Sequence, residues 1–208
     1  PSRPCAEDLP FFPFIDWMPY SRTKVLAEVE TFKAIADGLD AVIAISTGVC
    51  GPNDFLPSRT GNVLRTFARG KFRAYIPGGY EAVGVDDLAR GHVLAMERGK
   101  TGQRYTISTR YVTMDEMLDL FAEVTGKPRK ARALPPRLMS GVAKALSSAM
   151  TTFFPDAPQQ LTPGAVLVLS MQRRADISKA RRELGYEPGA IEPVVRDWYE
   201  FFVREGMI

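Results

Sequence analysis

The chain has 208 residues, 45% apolar and 25% charged, and 27 basic against 24 acidic side chains leave a net charge of +3. That composition excludes disordered and fibrous proteins and allows one substantial core, or a core plus a small lobe. The charge is too small and too evenly scattered to mark a nucleic-acid surface, and with no run of ~18–20 apolar residues no membrane span is expected.

Residues 1–19 carry Pro10, Phe11, Phe12, Pro13, Phe14, Trp17 and Pro19 without helical or strand periodicity, which predicts an irregular arm. From Tyr20 to about Ala36, apolar residues recur at Val25, Val29, Phe32 and Ala36, with Leu26 and Ile35 beside them; this predicts a helix that stops at Gly38. The run Ala41-Val42-Ile43-Ala44-Ile45 is short, continuous and mostly β-branched, as expected of a strand buried on both faces of a parallel sheet. Helix followed by strand makes half of a βαβ unit. The turn-like Gly48-Val49-Cys50-Gly51-Pro52-Asn53-Asp54 then falls at the strand's C-terminal end, where open α/β sheets place their ligands.

Asn62 to Arg69 reads as a helix and Arg73 to Ile76 as a short strand, and Asp86 or Asp87 is expected to cap a helix running to Met96 and closing near Gly99. Tyr105 to Ser108 reads as the last strand of the sheet. Thr113-Met114-Asp115-Glu116 forms a capping box that opens an amphipathic helix through Met117, Leu118, Phe121 and Val124, with Gly126 as its stop. Leu134 to Phe154 is helical in part, and Pro163 to Met171 fits no single period. Ser178 to Leu184 is a short helix closed by Gly185, and Glu192 to Arg204 is the terminal helix.

Chemistry concentrates at Tyr20-Ser21-Arg22-Thr23-Lys24, where a phenol and an ammonium at i and i+4 share one helix face. A tyrosine with an ordinary pKa of ~10 is a poor acid or base near neutrality, but a neighbouring ammonium favours the phenolate and makes proton exchange with an alcohol or carbonyl feasible. The spacing alone also fits an ordinary surface pair. Elsewhere the bland readings prevail. Asp86 and Asp87 read as a cap and its neighbour, and His92, the only histidine, as structural; Cys50 has no adjacent base and reads as packing. Cys5 and Cys50 offer no zinc-ligand cluster, and the two cysteines point to a reducing, cytoplasmic compartment.

Pro19-Tyr20 through Lys24, followed by Val25-Leu26-Ala27-Glu28, resembles the active-site helix of extended short-chain dehydrogenases/reductases, especially dihydroflavonol-reductase-like members and NAD-dependent epimerases/dehydratases. Three further segments agree in order: Gly51-Pro52-Asn53-Asp54, Val85-Asp86-Asp87-Leu88-Ala89-Arg90-Gly91-His92, and Asp176-Ile177-Ser178-Lys179-Ala180 with Leu184-Gly185-Tyr186. The resemblance implies an α/β fold: the second half of a Rossmann-like doubly wound parallel sheet, with a small C-terminal α/β substrate lobe. Residues 1–110 would form that half with the catalytic helix, interrupted by a lobe insertion near 55–76; residues 111–208 would form mainly the lobe and the terminal helices.

By the same resemblance Tyr20 is the catalytic acid/base, and Lys24 binds the ribose of NAD or NADP and tunes Tyr20. Ser46, Thr47, Gly48 and Val49 would lie against the nicotinamide, with the Val49 backbone reaching its carboxamide, although the family usually has proline at the position of Ser46. Asn53, Asp54, Phe55 and Tyr80 are candidate substrate contacts. The glycine-rich pyrophosphate loop of such enzymes is absent from the sequence, so the resemblance implies roughly 120–140 preceding residues, the missing N-terminal half of the same protein. The 208 residues alone are expected to be inactive.

The implied activity is an NAD(P)-dependent oxidoreductase acting on a carbonyl or secondary alcohol, with a homodimer as the assembly the resemblance allows. The alternatives are a nucleotide-sugar epimerase/dehydratase, a non-catalytic dinucleotide sensor or scaffold, and a protein anchored through Leu134–Phe154. A non-nucleotide substrate is expected because Gly79-Tyr80-Glu81-Ala82-Val83 has a tyrosine and an acid where nucleotide-sugar enzymes carry an arginine; Glu81 would repel a diphosphate, and Arg59, Arg65, Arg69 or Arg73 would have to substitute. Met114, Met117, Leu138, Met139, Met150, Phe153 and Phe154 are candidates for an apolar substrate wall.

Overall fold

Proline at the first turn sets the start of α1 (Pro19–Ala36), since it has no N–H to lose there and its φ is already helical. The computed structural model of the chain describes residues 4–11, 18–135 and 163–208. After α1 come β1 (Ile43–Ser46), β2 (Gly48–Cys50), α2 (Arg59–Ala68), β3 (Ala74–Tyr75), β4 (Gly79–Gly84), α3 (Val85–Arg98) and β5 (Arg104–Ile107). They are followed by β6 (Arg110–Thr113), α4 (Met114–Thr125), β7 (Arg132–Ala133), α5 (Pro163–Met171), α6 (Ser178–Leu184) and α7 (Ile191–Arg204). The expected helix over Leu134–Phe154 lies almost wholly outside the described residues, whereas the ambiguous stretch 163–171 is helical.

The strands pair mainly in parallel, as a Rossmann-like α/β fold requires. β1 runs parallel to β5 in the register Ile43↔Arg104 to Ser46↔Ile107, and β2 parallel to β4 in the register Gly48↔Ala82 to Cys50↔Gly84. β6 joins β4 antiparallel, and β3 pairs with β7 in parallel. β1 departs from expectation: Ile43 to Ile45 are half-buried, Ser46 is exposed, and among the described residues β5 is its only neighbour. The segment 48–50, expected as a turn, is a strand because its parallel pairing with β4 outweighs the glycine at its start.

Two large cores, beside a small cluster of Ile76 and Val166, position these elements among the described residues. Leu64 and Phe67 of α2 meet Met117, Leu118 and Phe121 of α4 and Val195, Trp198, Phe201 and Phe202 of α7. Their rings pack edge-on or tilted, with Phe67 and Phe121 centroids 6.0 Å apart and Trp198 and Phe202 5.9 Å apart. The second core joins Val83, Ala95, Tyr105 and Ile107 to Ala180, Leu184 and Tyr186, so α3 and α6 both cover the β1–β5 pair. Met114 and Met117 belong to the first core and do not form an open substrate wall; the other proposed wall residues lie outside the described part.

The helix starts show which capping signals hold. Thr113 accepts the Glu116 N–H, as the capping box requires, but Glu116 turns its carboxylate to Arg110 instead of back to Thr113. At α3 the expected aspartate cap is corrected: Gly84 is the N-cap, and Asp86 and Asp87 lie within the first turn. Asp87 is buried there, its Oδ1 accepting from Arg90 at 2.6 Å and its Oδ2 from the Gly189 N–H at 2.8 Å, so it joins α3 to the chain entering α7.

Candidate active site

Tyr20 and Lys24 occupy the first turns of α1, and the Lys24 ammonium stands 5.5 Å from the centroid of the Tyr20 ring. Tyr20 is 74% exposed, so its hydroxyl is open to a ligand. Two contacts fix the direction of the helix. Ile35 lies against Gly102 just before β5, and Glu28 pairs with Arg104 at 3.1 Å at the start of that strand, so α1 runs antiparallel to β5. Eight helical residues from Glu28 back to Tyr20 cover ~12 Å, and three strand residues from Arg104 to Ile107 cover ~10 Å. The Tyr20 end of α1 is thus the end directed toward the C-terminal side of β5 and its parallel partner β1.

On that side lies the link between β1 and β2. Ser46 ends β1 exposed, Gly48 is exposed, and Val49 is 40% exposed. Thr47 is half-buried: its N–H donates to Ile107 O at 3.3 Å, and its hydroxyl lies 3.1 Å from Ser108 Oγ and 3.4 Å from Ile107 O. Gly48 allows the backbone to lie under the Tyr80 ring, since a Cβ there would come within 2.9 Å of Tyr80 Cδ2. The four link residues are thus contiguous, largely open, and at the strand ends where α/β folds bind ligands.

The expected substrate contacts separate. Tyr80 directs its hydroxyl into the protein, near Thr60 and Cys50, where burial pushes the phenol well above its usual pKa; this oxygen makes no well-formed hydrogen bond among the described residues. Asp54 accepts from the Ser58 N–H at 2.8 Å and the Ser58 hydroxyl at 3.0 Å, which orders the start of α2. Asn53 is exposed in the left-handed region at φ 66°, a conformation asparagine tolerates. Phe55 is 60% exposed, with one edge against Phe201 at 5.0 Å.

Cys50 is 2% exposed, its Sγ faces Val83 O at 3.5 Å, and burial pushes its pKa up to about 12, which leaves it a neutral packing group. His92 places Nδ1 2.8 Å from Leu88 O, four residues back on α3. Sequence reasoning missed Ser108, which is 1% exposed and links Thr47 to Glu81. It also misjudged Glu81: Oε2 accepts from Ser108 at 2.7 Å and Oε1 from the Ala175 N–H at 2.8 Å, so the carboxylate is tied inward and does not stand free to repel an anion. A serine at the close of a strand and an acid in the middle of another give no local signal of this contact.

The sequence model of the NAD dependent epimerase/dehydratase family matches residues 2–108, half of the chain, including every one of these link residues and both members of the Tyr20–Lys24 pair. The chain belongs to the NAD dependent epimerase/dehydratase family. Among curated proteins it is 35% identical over 199 residues to sterol demethylase protein B of Methylococcus capsulatus, covering 96% of this chain and 60% of that protein. It is 29% identical to a putative dihydroflavonol 4-reductase of Synechocystis sp., covering 91% of this chain and 56% of that one. The fold matches the crystal structure of a nucleoside-diphosphate-sugar epimerase from Pseudomonas aeruginosa with a TM-score of 0.77 at 24% identity, over 98% of this chain and 62% of the other. The chain thus spans about 60% of the length of these proteins.

Among the described residues no helix is long and apolar enough to cross a membrane, and no group of three or more His, Cys, Asp or Glu could hold a metal ion. Cys5 and Cys50 are both free thiols.

Proposed function

We propose that the intact protein is an NAD(P)-dependent oxidoreductase that interconverts a carbonyl and a secondary alcohol on a non-nucleotide substrate. The observation that supports this reading is the antiparallel course of α1 beside β5, which turns the helix end carrying an exposed phenol and its ammonium neighbour toward the side of the sheet where the open link 46–49 lies. Tyr20 then exchanges the proton of the substrate oxygen, and Lys24 serves the ribose hydroxyls and the phenol together. Ser46, Thr47, Gly48 and Val49 line the nicotinamide end. The chemistry fits this donor set: one cation for vicinal hydroxyls, and a polar, uncharged link for an uncharged carboxamide. NAD(P), when bound, supplies or accepts the hydride. Tyr80 cannot stand in for Tyr20, because its hydroxyl is buried. A non-catalytic sensor on the same fold would have no use for the exposed acid/base pair.

Substrate class follows from the cations. An arginine fork is the usual partner of a nucleotide sugar's pyrophosphate, and two of the four possible substitutes are committed elsewhere: Arg65 Nε and Arg69 Nη2 both donate to Met207 O, at 2.9 and 2.8 Å. Position 80, where the fork is expected, holds an inward-facing tyrosine. These arrangements favour the reductase over the epimerase branch, and the free thiols agree with a reducing, cytoplasmic setting. The test is competition in the intact protein: NAD(P)H-dependent reduction of apolar ketones or aldehydes, unaffected by UDP or UDP-glucose, is expected. Tight binding of UDP-sugars with no reduction of such carbonyls would move the protein to the epimerase branch.

A further inference from the structure

We propose that Glu81 is a positioning residue that fixes the direction of a hydrogen-bond chain through Ser108, leaving the Thr47 hydroxyl only acceptor capacity toward the bound ligand. The inference rests on reading residues 46–49 as the nicotinamide-facing link. Serine and threonine hydroxyls each carry one hydrogen and can point it either way, so a pair of them has no inherent direction. Here direction is imposed from one end. A carboxylate accepts and never donates when ionised, and Glu81 Oε2 is the nearest polar atom to Ser108 Oγ, at 2.7 Å against 3.1 Å for Thr47 Oγ1 and 3.4 Å for Ala82 O. Ser108 therefore gives its hydrogen to Glu81 and turns its lone pairs to Thr47. The charge-assisted bond is the strongest of the three at Ser108, and Ser108 is shut off from solvent at 1% exposure.

Among the described residues the Thr47 hydroxyl then has two partners, Ser108 Oγ at 3.1 Å and Ile107 O at 3.4 Å, and both accept. Its hydrogen is drawn inward whichever it uses, so a group bound against the half-buried Thr47 meets lone pairs alone. The preferred occupant is a donor. At the nicotinamide end the carboxamide NH2 is that donor, whereas an acceptor presented to Thr47 would be repelled. Glu81 cannot rotate away from this duty, because its other oxygen holds the Ala175 N–H at 2.8 Å. One carboxylate thus ties together β4, the β5–β6 turn, the link 46–49 and the segment leading into α6.

The same geometry makes Glu81→Gln diagnostic. The Ala175 N–H demands an acceptor, so the glutamine oxygen faces Ala175 and its NH2 faces Ser108. Ser108 must then accept, which frees its hydrogen for Thr47 Oγ1 or Ala82 O, so the imposed direction is lost without removing a contact. The readout is the ratio of dissociation constants for NAD(P) and its 3-acetylpyridine analogue, in which a methyl replaces the carboxamide NH2, measured on the intact protein. A purely structural role would shift both constants together and leave the ratio unchanged. The parent is expected to prefer the natural cofactor by about five- to tenfold through this bond, the size of one hydrogen bond of typical net strength. Thr47→Val should bring the ratio close to one and Glu81→Gln should lower it, while Thr47→Ser keeps it. An unaltered ratio in Thr47→Val and Glu81→Gln, with both variants folded by circular dichroism, overturns the inference and leaves the proposed activity standing. A parent that binds neither dinucleotide overturns both.

Discussion

Replacing Asp87 by alanine removes two contacts of unequal value. Its Oδ2 accepts the Gly189 N–H at 2.8 Å, joining α3 to the chain that enters α7, and its Oδ1 accepts from Arg90 at 2.6 Å. The arginine side chain is 52% exposed and that of Asp87 11% exposed, so solvent screening holds the ion pair to about 0–1 kcal/mol. The bond to Gly189 is worth more. Losing the charged acceptor of this part-buried bond costs about 1.5–3 kcal/mol, and the total comes to roughly 1.5–4 kcal/mol. For a chain of this length that lowers Tm by about 3–16 °C. Asp86, one residue earlier and exposed, acts only through the helix dipole, so Asp86→Ala should cost about 0.3–1 kcal/mol. Asp87→Asn keeps an oxygen for Gly189 and should fall between the two. The assay is urea unfolding of the intact protein at pH 7. Equal effects of Asp86→Ala and Asp87→Ala would refute the reasoning, because they would make both residues members of one exposed cap.

Iodoacetamide at pH 8 should label Cys5, which is half-buried, and spare Cys50, whose burial pushes its pKa up to about 12; mass spectrometry showing equal labelling in the folded protein would contradict this. Asp115 is held below the usual carboxylate range first by its hydrogen bond from Tyr75 and then by Arg129, so it contributes stability above its unfolded pKa of ~3.9 that is lost as pH falls through the lower folded value. Asp115→Asn should accordingly lose less stability than the parent between pH 7 and pH 3, a difference read from urea midpoints at the two pH values. Lys24→Met is expected to weaken cofactor binding and turnover together, since one ammonium serves both ribose and phenol; impairment of only one would separate those duties.

What could be read locally in the sequence was set by local physics. The i, i+4 placement of Tyr20 and Lys24 follows from helical pitch alone, and the helix ends at Gly126 and Gly185 are left-handed C-caps, at φ 64° and 70°, where glycine pays no steric penalty. What could not be read depended on partners distant in sequence. The strand Gly48–Cys50 exists because β4 supplies its ladder, and Asp87 finds its acceptor duty 102 positions away at Gly189. The inward turn of Tyr80 and the inward ties of Glu81 are likewise tertiary, and they reversed the expectation that Glu81 stands as a free negative charge. The helix over Leu134–Phe154 lies almost wholly outside the described residues.

The central claim is that Tyr20 supplies the proton in an NAD(P)-dependent reaction, and Tyr20→Phe in the intact protein tests it most directly. The ring and its contact with Lys24 survive the change, because only the hydroxyl is lost. Turnover should fall by about 10²–10⁴, the usual contribution of a positioned general acid, while the dissociation constant for NAD(P)H, read by fluorescence titration, stays within about twofold of the parent, since a uniform binding contact is not removed. A mutant with kcat comparable to the parent's would contradict the account.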